Sequence, residues 1–118
     1  MRYASLACLI LTLAACEPGA PITPLAAAAR EGNTARITEL VKSGSDVNER
    51  SGVNDWTPLM HAIHKNQPGS VRALIDAGAD VNLTAGMRGR DTALSLAKVE
   101  GDKNIVRMLQ EHGAKTVD

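Results

Sequence analysis

His61 and His64 are the residues best placed for metal chemistry, because they lie three positions apart in the sequence. On an α-helix this spacing puts two side chains on one face, close enough to share an ion. A zinc site needs at least a third ligand, and no other His or Cys is positioned to supply it. We therefore predict no metal and no cofactor, and we interpret His61 as a semi-buried histidine with satisfied hydrogen bonds.

Other kinds of catalytic and binding site also lack their characteristic residues. The sequence contains no Gly-rich phosphate loop, no nucleophile elbow and no paired set of carboxylates. The formal net charge is zero, and beyond residue 15 the chain has 12 basic and 13 acidic side chains, since Arg2 is the one charged residue before that point. Such a balance does not suit binding to a phosphate backbone. The sequence predicts neither an enzyme nor a nucleic-acid-binding protein.

The first 15 residues have the pattern of a cleavable signal peptide. A short start carrying Arg2 is followed by an almost unbroken apolar run over residues 4–15. A helix that spans a bilayer needs roughly 20 apolar residues, so this run is too short to be a permanent anchor. Both cysteines, Cys8 and Cys16, lie before residue 17, so the processed chain can form no internal disulfide.

The apolar run ends in Leu13-Ala14-Ala15-Cys16, which resembles the lipobox of bacterial lipoproteins. The resemblance implies that Cys16 is lipid-modified, with palmitate among its acyl groups, and that it anchors the chain to a membrane. The alternative is an ordinary secretory leader cut after Ala15, which would leave Cys16 free. Residues 16–22 would form the lipidated start and a Pro- and Gly-containing tether. In similar lipoproteins Asp after the cysteine favours retention in the inner membrane, so Glu17 favours the outer membrane, facing the periplasm.

Three similar segments follow the tether and begin with Thr23-Pro24-Leu25, Thr57-Pro58-Leu59 and Thr92-Ala93-Leu94. Each has a glycine at the same later position, namely Gly44, Gly78 and Gly113. This pattern resembles the ankyrin repeat over about residues 23–114. The resemblance implies an all-α solenoid of three helix-turn-helix repeats with hairpin-like loops, over about residues 23–55, 56–90 and 91–118.

Local signals place the helices of this solenoid. Thr is a good N-cap and Pro suits the first helical position, so inner helices should begin near Thr23, Thr57 and Thr92. Outer helices are predicted over about residues 35–43, 70–77 and 103–112, each closed by a glycine. Polar Lys98 and Gln110 stand where earlier repeats are apolar, which is typical of a terminal repeat and suggests that the array ends with the chain. We expect marginal stability from three repeats.

In similar proteins the binding surface consists of hairpin tips and the exposed face of the inner helices. Transferred by position, this surface comprises Ile22, Arg30, Glu31, Val53, Asn54, Trp56, His64, Lys65, Arg88, Arg90, Asp91, Val99 and Glu100. Three of the tip residues are basic, namely Arg50, Arg88 and Arg90. Solvated surface charge is the alternative interpretation of these arginines.

Trp56 is the one aromatic residue beyond the signal peptide. Because it precedes the second Thr-Pro-Leu motif, we expect its indole to project from a hairpin tip, where a Trp often dominates binding energy. The alternative is that the indole folds back over the neighbouring hairpin and covers apolar surface.

These observations favour a membrane-anchored protein-protein interaction module of the bacterial envelope, which we expect to be monomeric. Small ankyrin lipoproteins of this kind include immunity proteins that neutralise secreted antibacterial toxins such as phospholipases. A toxin is therefore one candidate partner. A structural role in the envelope and protection against oxidative stress, as in periplasmic ankyrin proteins that accompany catalases, are the alternatives. Nucleic acid is not an expected partner.

Overall fold

The computed structural model describes residues 21–86, 88–100 and 102–115, which form an all-helical solenoid. Its helices are α1 Pro24–Glu31, α2 Thr34–Lys42, α3 Pro58–His64, α4 Pro68–Asp76, α5 Ala93–Glu100 and α6 Lys103–Glu111. Within the described ranges, β-structure is limited to two isolated bridges in the loops. The predicted fold class is therefore confirmed. The expected signal peptide, the lipidation site at Cys16 and the tether as far as residue 20 lie outside the described residues.

The inner helices begin where the threonines cap them. The hydroxyls of Thr23 and Thr57 accept hydrogen bonds from the backbone N–H groups three residues later, at 3.2 and 3.3 Å. A proline follows each threonine at the first helical position, where its missing N–H costs no hydrogen bond. In the third repeat Thr92 and Ser95 cap each other, because each side-chain oxygen accepts from the other's backbone N–H, at 3.1 and 2.9 Å.

The six helices form two layers. The inner layer is α1, α3 and α5 side by side, the outer layer is α2, α4 and α6, and each inner helix packs on the outer helix that follows it. One continuous aliphatic core lies between the layers, and its fully buried members include Leu25, Ile37, Leu59, Ile63, Val71, Leu74, Ile105 and Leu109. Burying one such side chain stabilises a fold by about 1.5–3 kcal/mol. This core runs through all three repeats, so burial of its side chains stabilises the array as a whole.

Small residues allow the helices of this core to approach closely. Ala28, Ala62 and Ala97 occupy equivalent positions on the inner helices and are at most 3% exposed. After each outer helix the chain reverses at a glycine in the left-handed conformation, with φ of 101°, 95° and 82° at Gly44, Gly78 and Gly113. The predicted closing role of these glycines is confirmed. None of the helices in the described part of the chain is long and apolar enough to cross a bilayer.

The two loops that connect the repeats are joined to each other by hydrogen bonds. The N–H of Gly86 donates to the Asn54 carbonyl at 3.0 Å, and the Asn48 amide oxygen accepts from the Asp80 N–H at 2.9 Å. Arg50 Nη1 donates to the carbonyl of Thr84 at 2.6 Å. Arg50, which we expected to act as a basic tip residue, therefore connects two loops. These hydrogen bonds fix the two loops relative to each other, so the loops form a single layer.

Two serines of this fold have opposite hydrogen-bonding situations. The Ser70 hydroxyl is fully buried and has no partner among the described residues, whereas Ser95 completes the cap of α5. We expect Ser70→Ala to raise the free energy of unfolding by about 1 kcal/mol, because a buried hydroxyl without a partner loses its hydration on folding. The matched change Ser95→Ala should lower it by about 1 kcal/mol. Urea denaturation followed by circular dichroism measures both, and equal destabilisation by the two changes would contradict this account of Ser70.

Candidate binding surface

A groove of about 380 Å³ lies between the start of α1 and the first inter-repeat loop. We call it the hairpin groove; its lining residues are Pro21, Ile22, Arg30, Gly52, Val53, Asn54, Trp56, His61 and His64. Six of these nine belong to the predicted binding surface. The structure adds Pro21, Gly52 and His61, which sequence reasoning did not assign to it. The surface pattern of the repeat marks exposed positions, and His61 and Gly52 line the groove from beneath that surface.

A second depression of about 310 Å³ adjoins the hairpin groove, and it is lined by Asn54, Arg88, Arg90 and Asp91. We call it the arginine depression. Because Asn54 lines both concavities, they form one continuous surface across the two loops. The structure thus brings Arg88, Arg90 and Asp91 together, next to the residues of the hairpin groove.

The other predicted residues lie on the rim or apart from these concavities. Glu100 on α5 reaches His64 on α3, with Oε1 3.3 Å from Nδ1, so these two residues connect adjacent inner helices. Lys65 caps the end of α3, is exposed and lines neither concavity. Their part in binding a partner stays a prediction.

Trp56 does not project from the loop, so that expectation is wrong. Its side chain is 8% exposed and packs with Met60, Ala85 and Leu96. The indole Nε1 donates to Asp91 Oδ2 at 3.1 Å, which ties the second repeat to the third. The physical reason is that the indole packs against α3, the second loop and α5 and still has a hydrogen-bond acceptor for its N–H. The packing alternative therefore describes its position, and its role in binding a partner stays a prediction.

His61 is buried and connects three segments through hydrogen bonds. Its Nδ1 lies 3.2 Å from Arg30 Nη1 and its Nε2 lies 3.0 Å from the Ser51 carbonyl oxygen. A guanidinium can only donate, so Nδ1 accepts and Nε2 carries the proton that is donated to Ser51. Burial lowers the pKa of His61 below its usual 6.5, a fall that the bond to Ser51 opposes and the nearby Arg30 and His64 reinforce. The imidazole is therefore neutral near pH 7.

The first loop lies directly against this imidazole. Gly52 has φ of 81°, and a Cβ at this position would lie 3.2 Å from His61 Cε1. The tip of the loop then turns outward at Val53, which is 82% exposed. The hairpin groove thus has a floor of buried, hydrogen-bonded rings and a rim that is open to a partner.

The chemical character of this surface is apolar with fixed polar groups. The exposed large hydrophobic residues of the described chain are Ile22, Val53 and Val99. Ile22 and Val53 both line the hairpin groove, and Val99 occupies the inner-helix position that Arg30 and His64 hold in the other repeats. No group of three His, Cys, Asp or Glu side chains suited to a metal occurs within the described residues. Exposed apolar residues next to fixed polar groups suit binding to the surface of another molecule.

Comparison with known proteins agrees with this geometry. A family model described as ankyrin repeats (3 copies) matches residues 2–85 and 25–118. The chain belongs to the ankyrin-repeat family. Ankyrin repeats are generally non-enzymatic scaffolds that bind other proteins, and a protein-protein interaction module is the function that the family supports.

The solved structures include a similar domain, the human ASB11 ankyrin repeat domain. It superposes with a TM-score of 0.70 at 30% sequence identity, over 79% of this chain and 41% of that one. The present ankyrin chain therefore spans less than half of that domain. No match was found among curated proteins.

The position of Trp56 predicts a large effect on stability. We expect Trp56→Ala to lower the free energy of unfolding by about 3–5 kcal/mol, because it removes a buried indole and leaves Asp91 without its donor. Val53→Ala in the same loop is the control, and it should change stability little because Val53 is 82% exposed. Thermal melts followed by circular dichroism compare the two variants. Similar melting temperatures for Trp56→Ala and Val53→Ala would mean that the indole does not hold the loops together.

The lowered pKa of His61 predicts that the free energy of unfolding depends on pH. Below about pH 6.5 the unfolded chain protonates this histidine before the folded chain does, so the free energy of unfolding falls as pH decreases towards the lowered pKa of the folded state. The slope contributed by His61 is at most about 1.4 kcal/mol per pH unit. His61→Gln should reduce this slope between pH 7 and 5, while His64→Gln should retain it. Urea denaturation at several pH values gives the slopes, and an undiminished slope in His61→Gln would be evidence against the assignment.

Proposed function

We propose that this ankyrin-repeat protein is a lipid-anchored binding module of the bacterial envelope that holds one protein partner. The observation that carries the proposal is the continuous surface formed by the hairpin groove and the arginine depression, with Val53 on its rim. The two loops are held together by hydrogen bonds from Gly86 to Asn54 and from Arg50 to Thr84. A surface ordered before binding loses less conformational entropy when a partner binds.

The residues of the hairpin groove indicate what the partner must provide. Ile22 and Val53 line the groove and present exposed apolar surface to a partner. Arg30 is held in place by its bond to His61, and none of the ion pairs among the described residues involves it. A partner that inserts an apolar side chain and places a hydrogen-bond acceptor next to Arg30 would satisfy this groove. Asn54, shared with the arginine depression, would extend the contact to the second loop.

The membrane anchor in this proposal rests on the sequence around Cys16. Three acyl chains, as the lipoprotein resemblance implies, would bind a membrane stably, at about 0.8 kcal/mol for each buried CH₂ group. The five residues 17–21 reach at most about 20 Å when extended. The repeats would therefore lie close to the membrane, and Glu17 supports the periplasmic face of the outer membrane as the location.

Three classes of partner fit such a module, and the phenotype of a deletion strain separates them. If the partner is a secreted toxin, phospholipases included, the strain becomes sensitive to neighbouring cells that deliver it. If the partner is an envelope component, the envelope leaks without any toxin. A role in protection against oxidative stress appears as sensitivity to peroxide.

The contact surface is tested by capture of the partner from an envelope extract with the lipidated chain as bait. Val53→Glu places a charge on the rim of the hairpin groove, and we expect at least tenfold less partner to be captured. The control is Thr38→Glu on α2, which is also exposed and lies outside both concavities. Mass spectrometry quantifies the captured protein, and circular dichroism verifies that both variants are folded.

The same experiment separates the anchor from the binding surface. With Cys16→Ser we expect the chain to move from the membrane fraction to the soluble fraction and to keep its capture of the partner. Unchanged capture by Val53→Glu would remove the hairpin groove from the proposal. Continued presence of Cys16→Ser in the membrane fraction would remove the lipid anchor.

A further inference from the structure

A second groove, of about 440 Å³, lies between the two helices of the third repeat. We call it the terminal groove; it is lined by Ala97 and Lys98 of α5 and by Lys103, Val106, Arg107 and Gln110 of α6. The residues from α6 follow the spacing i, i+3, i+4 and i+7, so they share one face of that helix. The hairpin groove is built from other residues, at α1, α3 and the first loop.

The charge of the terminal groove distinguishes the third repeat from the first; the second repeat has Arg72 at the position of Arg107. Lys98 is exposed at the position where the earlier repeats bury Ala29 and Ile63 against the next repeat. Lys103 and Arg107 also stand at positions that are neutral in the first repeat, where the residues are Thr34 and Thr38. Three cations therefore surround a surface that is neutral in the first repeat.

These cations form no ion pair with the described residues. No carboxylate lines the terminal groove, and none of the ion pairs between described residues includes Lys98, Lys103 or Arg107. Lys103 and Arg107 lie one helical turn apart, where like charges repel. Lys103 is also the first residue of α6, at the end of the helix dipole that disfavours a cation. If this surface served only to keep the protein soluble, it could carry positive and negative side chains together.

The floor of the terminal groove is apolar. Ala97 is fully buried at its base, and Val106 is half-buried beside it. The groove volume lies within the range of about 300–1,000 Å³ that is usual for ligand sites. An occupant that matches both the surrounding cations and the apolar floor carries acidic groups around an apolar side chain.

We propose that the terminal groove is a second docking surface, which binds an acidic segment of a partner protein through its cations and through an apolar side chain that packs on Val106. A protein segment is the occupant that we test because ankyrin repeats generally bind other proteins, and a lipid surface is a separate outcome of the test. The chain as a whole has a formal net charge of zero, which does not suit a nucleic acid. The terminal groove shares no residue with the hairpin groove, so it provides a contact in addition to that of the proposed function.

The probe for this proposal is a synthetic peptide, acetyl-Glu-Leu-Glu-Asp-Leu-Glu-amide, titrated into the full chain by isothermal calorimetry. Two control peptides replace either its acidic residues by Lys or its Leu residues by Gly. We expect binding of the first peptide alone. Lys98→Ala/Arg107→Thr introduces the residues that the first repeat has at these positions and should weaken binding at least tenfold. The matched control Arg36→Ala/Lys42→Thr removes the same charge from α2 and should leave binding unchanged within twofold.

Each other result would overturn the proposal. Equal weakening by the two double variants would indicate general attraction between charges. Equal binding of the peptide without Leu, or competition by inorganic phosphate, would indicate an anion site without an apolar anchor. Binding to phosphatidylglycerol vesicles that is lost in Lys98→Ala/Arg107→Thr would indicate a lipid surface. No binding of the acidic peptide would indicate a charged end that only keeps the protein soluble. Circular dichroism of both double variants verifies that the fold is retained.

Discussion

The fold depends on contacts between repeats, since none of the three described helix pairs can bury its own apolar face. Ile37, Leu74 and Leu109 lie on three different outer helices, and all three are fully buried in one core. An isolated helix of eight or nine residues is not stable in water, so each pair forms only when its neighbour covers it. This requirement determines the arrangement of the other parts of the molecule. The inner helices must lie side by side and the loops must emerge on one edge, and together they form the concave surface.

The loops add a second set of constraints that stacking alone does not provide. Neighbouring loops could move relative to each other if only the helices were packed. Trp56 prevents this through its contacts with Met60 and Ala85 and through its bond to Asp91. His61 does the same between α1 and the first loop, through Arg30 and Ser51. Both rings lie beneath the hairpin groove, so the residues that give the groove its shape also contribute to stability.

Much of the architecture could be predicted from the sequence, because local signals specify it. Thr57 and Pro58 start a helix whatever lies beyond them, and Gly78 closes one because few other residues adopt its φ. The fold class and the helix pairs followed from such signals repeated at a constant spacing. The same spacing identified most residues of the hairpin groove, because equivalent positions in stacked repeats face the same side.

Side-chain direction could not be predicted in this way. The bond from Trp56 to Asp91 joins residues 35 positions apart, and the bond from Arg30 to His61 joins residues 31 positions apart. Whether a side chain at a loop points outward or inward depends on which acceptor the next repeat offers, and the pattern of one repeat does not contain that information. The pattern of the repeat therefore predicts an exposed Trp56 indole, whereas the acceptor that holds it inside, Asp91, belongs to the following loop.

The third repeat has a face of α5 and α6 that no other described repeat covers, and its composition differs from that of the first repeat. In the first two repeats the position of Lys98 is filled by Ala29 and Ile63, which the next repeat buries. Replacing such a residue by a lysine removes the driving force for a further repeat to stack, because burying an unpaired cation costs more than the apolar contact returns. The same lysine, when exposed, still attracts an anionic surface at long range. The charge that makes stacking of a further repeat unfavourable also attracts a partner of opposite charge. The terminal groove combines these two effects.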